Sequence, residues 1–162
     1  MRLYFLLVII LLGLDQLTKY WIMSSMNLYD AKEVIPGLFN LVYVTNKGAA
    51  FSMFASIDSP LRHYFFVLVN SLAAIGLTIA AYRVRSRQLF YLVSFGLIAS
   101  GAIGNLIDRI RFGAVIDFLD FYVGSYHWPA FNVADSAICV GVAILFVLNI
   151  LEIKHEKNKR DI

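Results

Sequence analysis

The chain has 162 residues, of which 60% are hydrophobic and 15% are charged, and its mean hydropathy is +0.72. These values exclude an ordinary water-soluble domain, and the one cysteine, Cys139, excludes an intrachain disulfide. The formal net charge of +3 is not gathered into a basic stripe interleaved with aromatic residues, so we expect no nucleic acid among the partners.

Four apolar segments are each long enough to cross a bilayer as a helix, which takes about 20 residues. The first begins after Arg2, as a secretory signal peptide would, but no small-residue cleavage site follows, and we expect it to be retained as a span. We therefore predict an all-α membrane protein, a four-transmembrane-helix bundle that forms a single domain over residues 1–162. The predicted spans cover approximately residues 3–23, 61–82, 88–107 and 133–151.

Basic residues distinguish the two sides of the predicted bundle. Cytoplasmic segments next to membrane spans carry an excess of Lys and Arg, which predicts that both termini are cytoplasmic. The two long connections, about 24–60 and 108–132, then face outward. Eight of the 14 basic residues lie on the predicted cytoplasmic side, at Arg2, Arg83, Arg85, Arg87, Lys154, Lys157, Lys159 and Arg160.

The first outward connection is predicted to contain a small extracytoplasmic β-sheet. Residues 34–38 and 39–45 are expected to be extended, and Asn46, Lys47 and Gly48 form a turn signal after them. A connection of more than about 30 residues is unusual without structure of its own, and such connections are usually functional.

Two patterns inside the spans are interpreted as structural. Asp15 and Lys19 are four residues apart, so they share a helix face and neutralise one another. Gly96, Ser100 and Gly104 recur at the same spacing in the third span, and small residues let two helix backbones approach closely within lipid. We expect both patterns to serve the packing of the bundle.

Polar residues that packing does not explain gather at the outer ends of the third and fourth spans. Asn105 and Arg109 share a helix face at the end of the third span. Asp117 follows in a stretch predicted to be extended, and Asp135 lies in the first turn of the fourth span. Because polar groups at membrane depth are costly, we interpret this cluster as functional and expect the two carboxyl groups to meet.

A close pair of carboxyl groups suits peptide hydrolysis. Two like charges at low dielectric constant share one proton, so one acid serves as base toward water and the other as proton donor toward the carbonyl. The first turn of a helix favours an anion, so we predict that Asp135 is charged and Asp117 holds the proton. His63, His127 and His155 are far apart and no H-E-x-x-H motif occurs, so we predict neither a metal site nor a cofactor.

The same residues also fit structural interpretations. Asn132 followed by Asp135 is the pattern of a helix N-cap with an acid in the first turn. Asp117 would then be a solvated loop acid, as Asp120 is expected to be. Asp108 is expected to form a surface ion pair of little energetic weight with one of the arginines that follow it.

Two other functions remain open on these observations. A small transporter or channel would use Asp15, Asp117 and Asp135 to relay protons, although such a relay needs polar groups at several depths. A non-catalytic assembly protein would use the small-residue face of the third span. Cleavage of a peptide substrate by the purified chain would separate a peptidase from both.

Five motifs run in order along nearly the whole chain. They are residues 14–19 (LDQLTK), 43–52 (YVTNKGAAFS), 101–109 (GAIGNLIDR), 113–118 (GAVIDF) and 131–136 (FNVADS). In these motifs the chain resembles the bacterial lipoprotein signal peptidases, the type II signal peptidases. Ile116 stands where that family more usually has Val, and Lys47 where it has Thr or Asn, and neither departure touches a carboxylate.

The resemblance implies an aspartic endopeptidase that removes signal peptides from prolipoproteins. It would cleave before the lipid-modified cysteine, at the extracytoplasmic face of the bacterial plasma membrane, as a multi-pass protein. On that match Asp117 and Asp135 are the catalytic pair, and Asp15 and Lys19 support the structure. The positions that line the substrate site are Asn46, Gly48, Asn105, Arg109 and Asn132. The implied partners are diacylglyceryl-modified prolipoproteins, membrane lipids and globomycin-type inhibitors, with no cofactor and no metal.

Overall fold

A computed structural model of the chain describes residues 1–48, 60–84 and 89–160, and within them it contains four long helices and four strands. The helices are α1 (Arg2–Ser25), α2 (Pro60–Val84), α3 (Leu89–Phe112) and α4 (Val133–Arg160). The strands are β1 (Ala31–Ile35), β2 (Phe39–Asn46), β3 (Val115–Val123) and β4 (Tyr126–His127). Residues 49–52 of the second motif and residues 85–87 of the basic connection lie outside the described residues.

Each of the four helices is long and apolar enough to cross a membrane. The central helix is α3, which packs against α1, α2 and α4. Half of the residues in its most apolar 18-residue stretch are buried, whereas at most 17% are buried in the corresponding stretches of the other three helices. The outer helices expose large apolar residues such as Leu17, Leu61 and Phe146, a surface that suits lipid. The predicted four-helix membrane fold with a small antiparallel sheet is confirmed.

The small residues of α3 let α1 approach closely, as predicted. A Cβ atom added at Gly96 would lie 3.5 Å from side-chain atoms of Tyr4 and Leu7. A Cβ atom added at Gly104 would lie 2.5 Å from Oδ2 of Asp15, closer than side chains tolerate. Gly104 therefore leaves the space in which the Asp15 carboxylate lies.

The third helix is longer than its apolar run. It continues to Phe112, past the predicted end near residue 107. It stops at Gly113, which has a left-handed φ of +73° and whose N–H donates to the carbonyl of Arg109 at 2.9 Å. Asp108 therefore lies within the helix and not on a surface connection. α4 likewise continues beyond its apolar run, because its charged tail is rich in Glu, Lys and Arg, which are good helix formers.

One antiparallel sheet, in the order β1-β2-β3-β4, joins the two connections that are predicted to face outward. β1 and β2 form a hairpin, and β2 pairs with β3 so that Val44 lies opposite Asp117. The predicted strand over residues 34–38 is wrong, because β1 ends at Ile35 and Gly37 turns the chain with a φ of +75°. The sheet nonetheless brings the strand that carries Asp117 to the end of the bundle.

Candidate active site

Two asparagines connect the two acids of the carboxyl pair, Asp117 and Asp135, which are the third residues of β3 and α4. The side-chain nitrogen of Asn132 donates to Oδ1 of Asp117 at 2.7 Å. The side-chain nitrogen of Asn105 donates to Oδ1 of Asp135 at 2.8 Å. The two amides also meet, since Nδ2 of Asn132 lies 3.4 Å from Oδ1 of Asn105. The structure thus brings both acids and both asparagines into one network.

Asn132 also caps α4, as the structural interpretation predicts. Its Oδ1 accepts from the N–H of Asp135 at 2.9 Å, and Oδ2 of Asp135 accepts from the N–H of Asn132 at 3.3 Å. This reciprocal arrangement is a capping box. It does not compete with a role in chemistry, because the other carboxylate oxygen of Asp135 accepts from Asn105 and the residue lines a cavity.

Lys19 lies at the centre of a buried charged cluster between α1 and α3. Its Nζ is 2.9 Å from Oδ2 of Asp15, as predicted, and 2.7 Å from Oδ2 of Asp108. All three side chains are 1% exposed, so the surface ion pair expected for Asp108 is wrong. Asp108 follows Gly104 by four residues and continues the small-residue face toward α1, a signal that sequence reasoning missed. We call Asp15, Lys19 and Asp108 the lysine cluster.

The lysine cluster holds the backbone beside each acid of the carboxyl pair. Oδ1 of Asp15 accepts from the N–H of Ala134 at 2.9 Å, directly before one acid. Oδ2 of Asp108 accepts from the N–H of Ile116 at 3.2 Å, directly before the other. The ammonium group of the cluster also donates to Oδ1 of Asn105 at 3.2 Å, which orients the amide that holds the second acid. The cluster therefore positions both carboxyl groups through short hydrogen-bonded links.

Arg109 and Gly48, both predicted to line the substrate site, are in direct contact. One terminal nitrogen of Arg109 donates to the carbonyl of Gly48 at 2.8 Å, and the guanidinium lies 5.1 Å from the ring centroid of Phe66. Arg109 is buried, whereas Arg111 is exposed and lies over the ring of Phe112. A guanidinium carries five N–H donors, so Arg109 retains donors for a ligand in the cavity that it lines.

Asn46 ends β2 beside the carboxyl pair. Its Oδ1 accepts from the N–H of Gly48 at 2.9 Å, which confirms the turn predicted after this strand. Its side chain also hydrogen-bonds Asp117 and lines the cavity. All five residues predicted to line the substrate site therefore lie around the carboxyl pair, although Gly48 and Asn132 do so through the contacts they make to other site residues.

Asp117 keeps its proton to an unusually high pH. Burial, and after it the negative charge of Asp135, raise the pKa of Asp117 to about 7. Hydrogen bonds from Asn132 and Asn46 and the positive charge of Lys19 oppose this rise. A carboxyl group with a pKa near neutrality is suited to giving and taking a proton.

Asp120 is not the solvated acid that the sequence predicts. It is 7% exposed, and it accepts from Nδ2 of Asn40, its neighbour across the sheet, at 2.9 Å. Nδ1 of His127 lies 3.0 Å from the same carboxylate. Because side chains alternate along a strand, Asp120 lies on the opposite face of β3 from Asp117. This second acid and its histidine are therefore separate from the carboxyl pair.

A cavity of about 560 Å³ opens beside the carboxyl pair. Two helices supply much of its wall: α2 contributes the apolar Phe66 and Val69 and the polar Asn70, and α4 contributes Ile138 and Cys139. Both helices pack on α3, which contributes polar lining between them. The volume lies in the range of ligand pockets, about 300–1,000 Å³. The arrangement suits a largely apolar ligand that presents one polar bond to the two acids.

Comparisons with known proteins identify relatives of this chain. A family model described as signal peptidase (SPase) II matches residues 7–151. The lipoprotein signal peptidase of Geobacter sulfurreducens is 55% identical over 137 residues, with 84% of each chain covered. That of Geobacter metallireducens is 49% identical over 144 residues, with 89% of this chain and 88% of the relative covered.

Solved structures agree as well. A bacterial membrane enzyme structure obtained by the in meso method at 2.3 Å resolution matches with a TM-score of 0.83 and 32% identity, covering 96% of this chain and 92% of that one. A second, at 1.9 Å resolution, matches with a TM-score of 0.79 and 33% identity, covering 91% and 92%. The family model, the relatives and the solved structures thus lead to one conclusion: the chain belongs to the signal peptidase II family.

Proposed function

We propose that this chain is an aspartic endopeptidase that removes signal peptides from prolipoproteins by cleaving before the lipid-modified cysteine. The observation that carries the proposal is the carboxyl pair, in which two acids line one cavity and Asp117 has a pKa of about 7. Membership in the signal peptidase II family supports the substrate class, because relatives of this chain are named lipoprotein signal peptidases.

The proposed reaction divides proton transfer between the two acids. Charged Asp135 takes a proton from a water molecule, whose oxygen attacks the peptide carbonyl carbon, while Asp117 gives its proton to the carbonyl oxygen. In the resulting gem-diol, Asp135 passes its proton to the leaving nitrogen and Asp117 recovers one from a hydroxyl group. The C–N bond breaks, and the pair returns to its starting state with one proton.

The neighbouring polar residues are proposed to bind the substrate backbone. Arg109 retains N–H donors beyond its contact to Gly48, and a guanidinium fork suits carbonyl oxygens. Asn105 and Asn132 hold the two carboxylates, so they fix which oxygen atoms remain for water and for the scissile bond. We expect globomycin-type inhibitors to occupy the same cavity, and membrane lipids to surround its apolar walls.

We further propose that the chain lies in the bacterial plasma membrane with the carboxyl pair on the extracytoplasmic side. The sheet and the pair lie where α1 ends and α4 begins, at the opposite end of the bundle from both termini. Arg2, Arg83 and Lys154 lie at the terminal end, which the positive-inside rule assigns to the cytoplasm. Because a diacylglyceryl group is held at the bilayer surface, the bond next to it would reach the depth of the carboxyl pair.

Reporter fusions test this orientation. A reporter after the C-terminus and one inserted at Gly37, in the turn between β1 and β2, are expected to be active on opposite sides of the membrane. Signals from the same side would contradict the topology and leave the pair in the wrong compartment for exported substrates.

Direct cleavage tests the activity. Purified chain in detergent or nanodiscs is incubated with a diacylglyceryl-modified precursor and, as control, with the same precursor without lipid. From the modified precursor we expect two products, a shortened lipoprotein and a signal-peptide fragment. We expect neither product from the control. If neither precursor yields a product, the peptidase proposal is wrong. The transporter and the assembly protein then remain as the alternatives.

A further inference from the structure

One polar side chain on the cavity wall takes no part in the network around the carboxyl pair. Nδ2 of Asn70 is buried without a hydrogen-bond partner, alone among the fully buried side-chain nitrogen and oxygen atoms of residues 1–48, 61–84 and 89–155. The same residue lines the cavity that Asp117 and Asp135 line. Buried polar groups are nearly always hydrogen-bonded, so this amide calls for a partner that the described part of the chain does not supply. Because Nδ2 itself is covered, the side chain must rotate to present this donor to the cavity.

Other side chains of the same kind satisfy themselves within their own helix. Ser71 and Thr78 of α2 donate to the carbonyls four residues earlier, each at 2.7 Å. Asn149 of α4 does the same, with Nδ2 donating to the carbonyl of Leu145 at 2.8 Å. Asn70 makes no such bond. The unpaired donor is therefore not a general consequence of placing an amide in one of these helices.

The position of Asn70 in the bundle limits which partners its amide can have. Phe66, Val69 and Asn70 form one face of α2, and Asn70 lies one turn, about 6 Å, deeper into the bundle than Phe66. Across the cavity, Ile138 and Cys139 lie one turn deeper than the acid on α4. The cavity thus extends from the carboxyl pair into the apolar part of the bundle, where lipid offers no hydrogen bonds.

We propose that Asn70 is a substrate-binding residue whose side-chain amide donates a hydrogen bond to a carbonyl oxygen of the bound prolipoprotein. The inference rests on the proposed function and adds to it the contact made beyond the scissile bond. A neutral amide suits this depth, since it binds an acceptor without placing a charge in the bundle. The carbonyl belongs either to the peptide backbone of the signal peptide or to an ester of the diacylglyceryl group.

Substitution of Asn70 tests the proposal. Asn70→Leu removes the amide at nearly the same size, and Asn149→Leu is the matched control on a helix face outside the cavity. With a synthetic diacylglyceryl peptide, Asn70→Leu is expected to raise KM about five- to tenfold with little change in kcat. The control is expected to keep both constants, and Asn70→Gln, which retains the amide, to recover most of the affinity.

Thermal unfolding separates binding from a structural role. Replacing an unpaired buried donor by an apolar side chain is expected to leave Tm unchanged or to raise it, while a structural hydrogen bond would make Tm fall. A folded Asn70→Leu variant with wild-type KM would overturn the inference. If that variant does not insert, Asn70→Ala carries the same comparison, and a wild-type KM there has the same meaning.

An ether-linked dialkyl peptide, which lacks ester carbonyls, identifies the source of the acceptor. If Asn70→Leu raises KM equally for the ether and the ester peptide, the contact is to the peptide backbone. If the increase occurs only for the ester peptide, the contact is to the lipid, and both results support a carbonyl partner. Wild-type cleavage in the same assay keeps the two proposals apart: no cleavage by wild type overturns the proposed function and this inference with it, whereas cleavage with an unaffected Asn70→Leu variant overturns this inference alone.

Discussion

Lys19 and Asp108 lie 2.7 Å apart between α1 and α3, and both side chains are 1% exposed. The same ammonium group lies 2.9 Å from Asp15, so one buried cation serves two carboxylates. Gln16 adds an amide that donates to Asp15 at 3.1 Å and to Asp108 at 3.0 Å. Removing one charged partner from such a cluster leaves the others buried and uncompensated.

Lys19→Met is therefore expected to destabilise the folded chain by about 3–5 kcal/mol, the range found when one partner of a buried ion pair is removed. Thermal or denaturant unfolding in micelles measures the loss. Adding Asp108→Asn to Lys19→Met removes one of the unpaired charges and is expected to recover part of the stability. A Lys19→Met variant as stable as the wild type would show that the cluster is not held by its charges.

Asp117→Asn and Asp135→Asn are each expected to lower kcat at least about 100-fold, because an amide keeps hydrogen bonds but does not exchange the proton. Expression and membrane insertion should stay close to wild type. Asp120→Asn is the matched control, since Asp120 is a buried acid of the same strand outside the cavity. Substantial turnover by either pair variant would remove that residue from the mechanism.

The pH profile of kcat/KM is expected to be bell-shaped, with its alkaline limb near pH 7. Below this pH Asp117 is protonated and can donate; above it the proton is lost, because the pKa of Asp117 is about 7. On the acid side, activity falls when the second acid also becomes protonated and no base remains. Activity that stays constant from pH 6 to pH 9 would contradict Asp117 as the donor.

A substitution at Asn46 tests whether the alkaline limb reports the pKa of Asp117. The hydrogen bond from Asn46 lowers the pKa of Asp117, so Asn46→Ala should raise that pKa and move the alkaline limb to higher pH. Infrared difference spectra provide an independent reading, because the protonated carboxyl band should disappear in Asp117→Asn. If the band survives there and vanishes in Asp135→Asn, the two roles must be exchanged.

Arg109→Ala is expected to reduce kcat/KM much more than Arg111→Ala. Arg109 is buried, donates to Gly48 at 2.8 Å and lines the cavity, whereas Arg111 lies exposed over Phe112. We expect about a 100-fold loss for Arg109→Ala, as for a charged hydrogen-bonded contact, and less than about threefold for Arg111→Ala. Equal losses would show that positive charge near the membrane matters more than a placed contact.

The membrane spans and the two acids of the carboxyl pair are both predictable from the amino-acid sequence. A run of about 20 apolar residues has few alternatives to a membrane helix, and polar residues at the ends of such runs stand out against them. The sequence alone therefore identifies Asp117 and Asp135 as candidates, and it also predicts the N-cap made by Asn132. The geometry adds the hydrogen bonds through which Asn105 and Asn132 connect the two acids.

The remaining features depend on packing across the chain. Pairing of β2 with β3 joins two separate connections, and no local pattern encodes which strands pair. The surface position expected for Asp108 is wrong because the end of the apolar run does not mark the end of this helix, which continues to Phe112. Asn70 is recognisable in the sequence as a polar residue within a span, but only the packed helices reveal that its amide lacks a partner.

The absence of a side chain at Gly104 lets three helices meet at one carboxylate. A methyl group there would lie 2.5 Å from Oδ2 of Asp15 on α1 and 3.3 Å from Cβ of Ala134 on α4. Ala134 in turn donates its N–H to the same Asp15 carboxylate. A side chain at position 104 would therefore displace the Asp15 carboxylate and weaken the hydrogen bond that joins α1 to the start of α4.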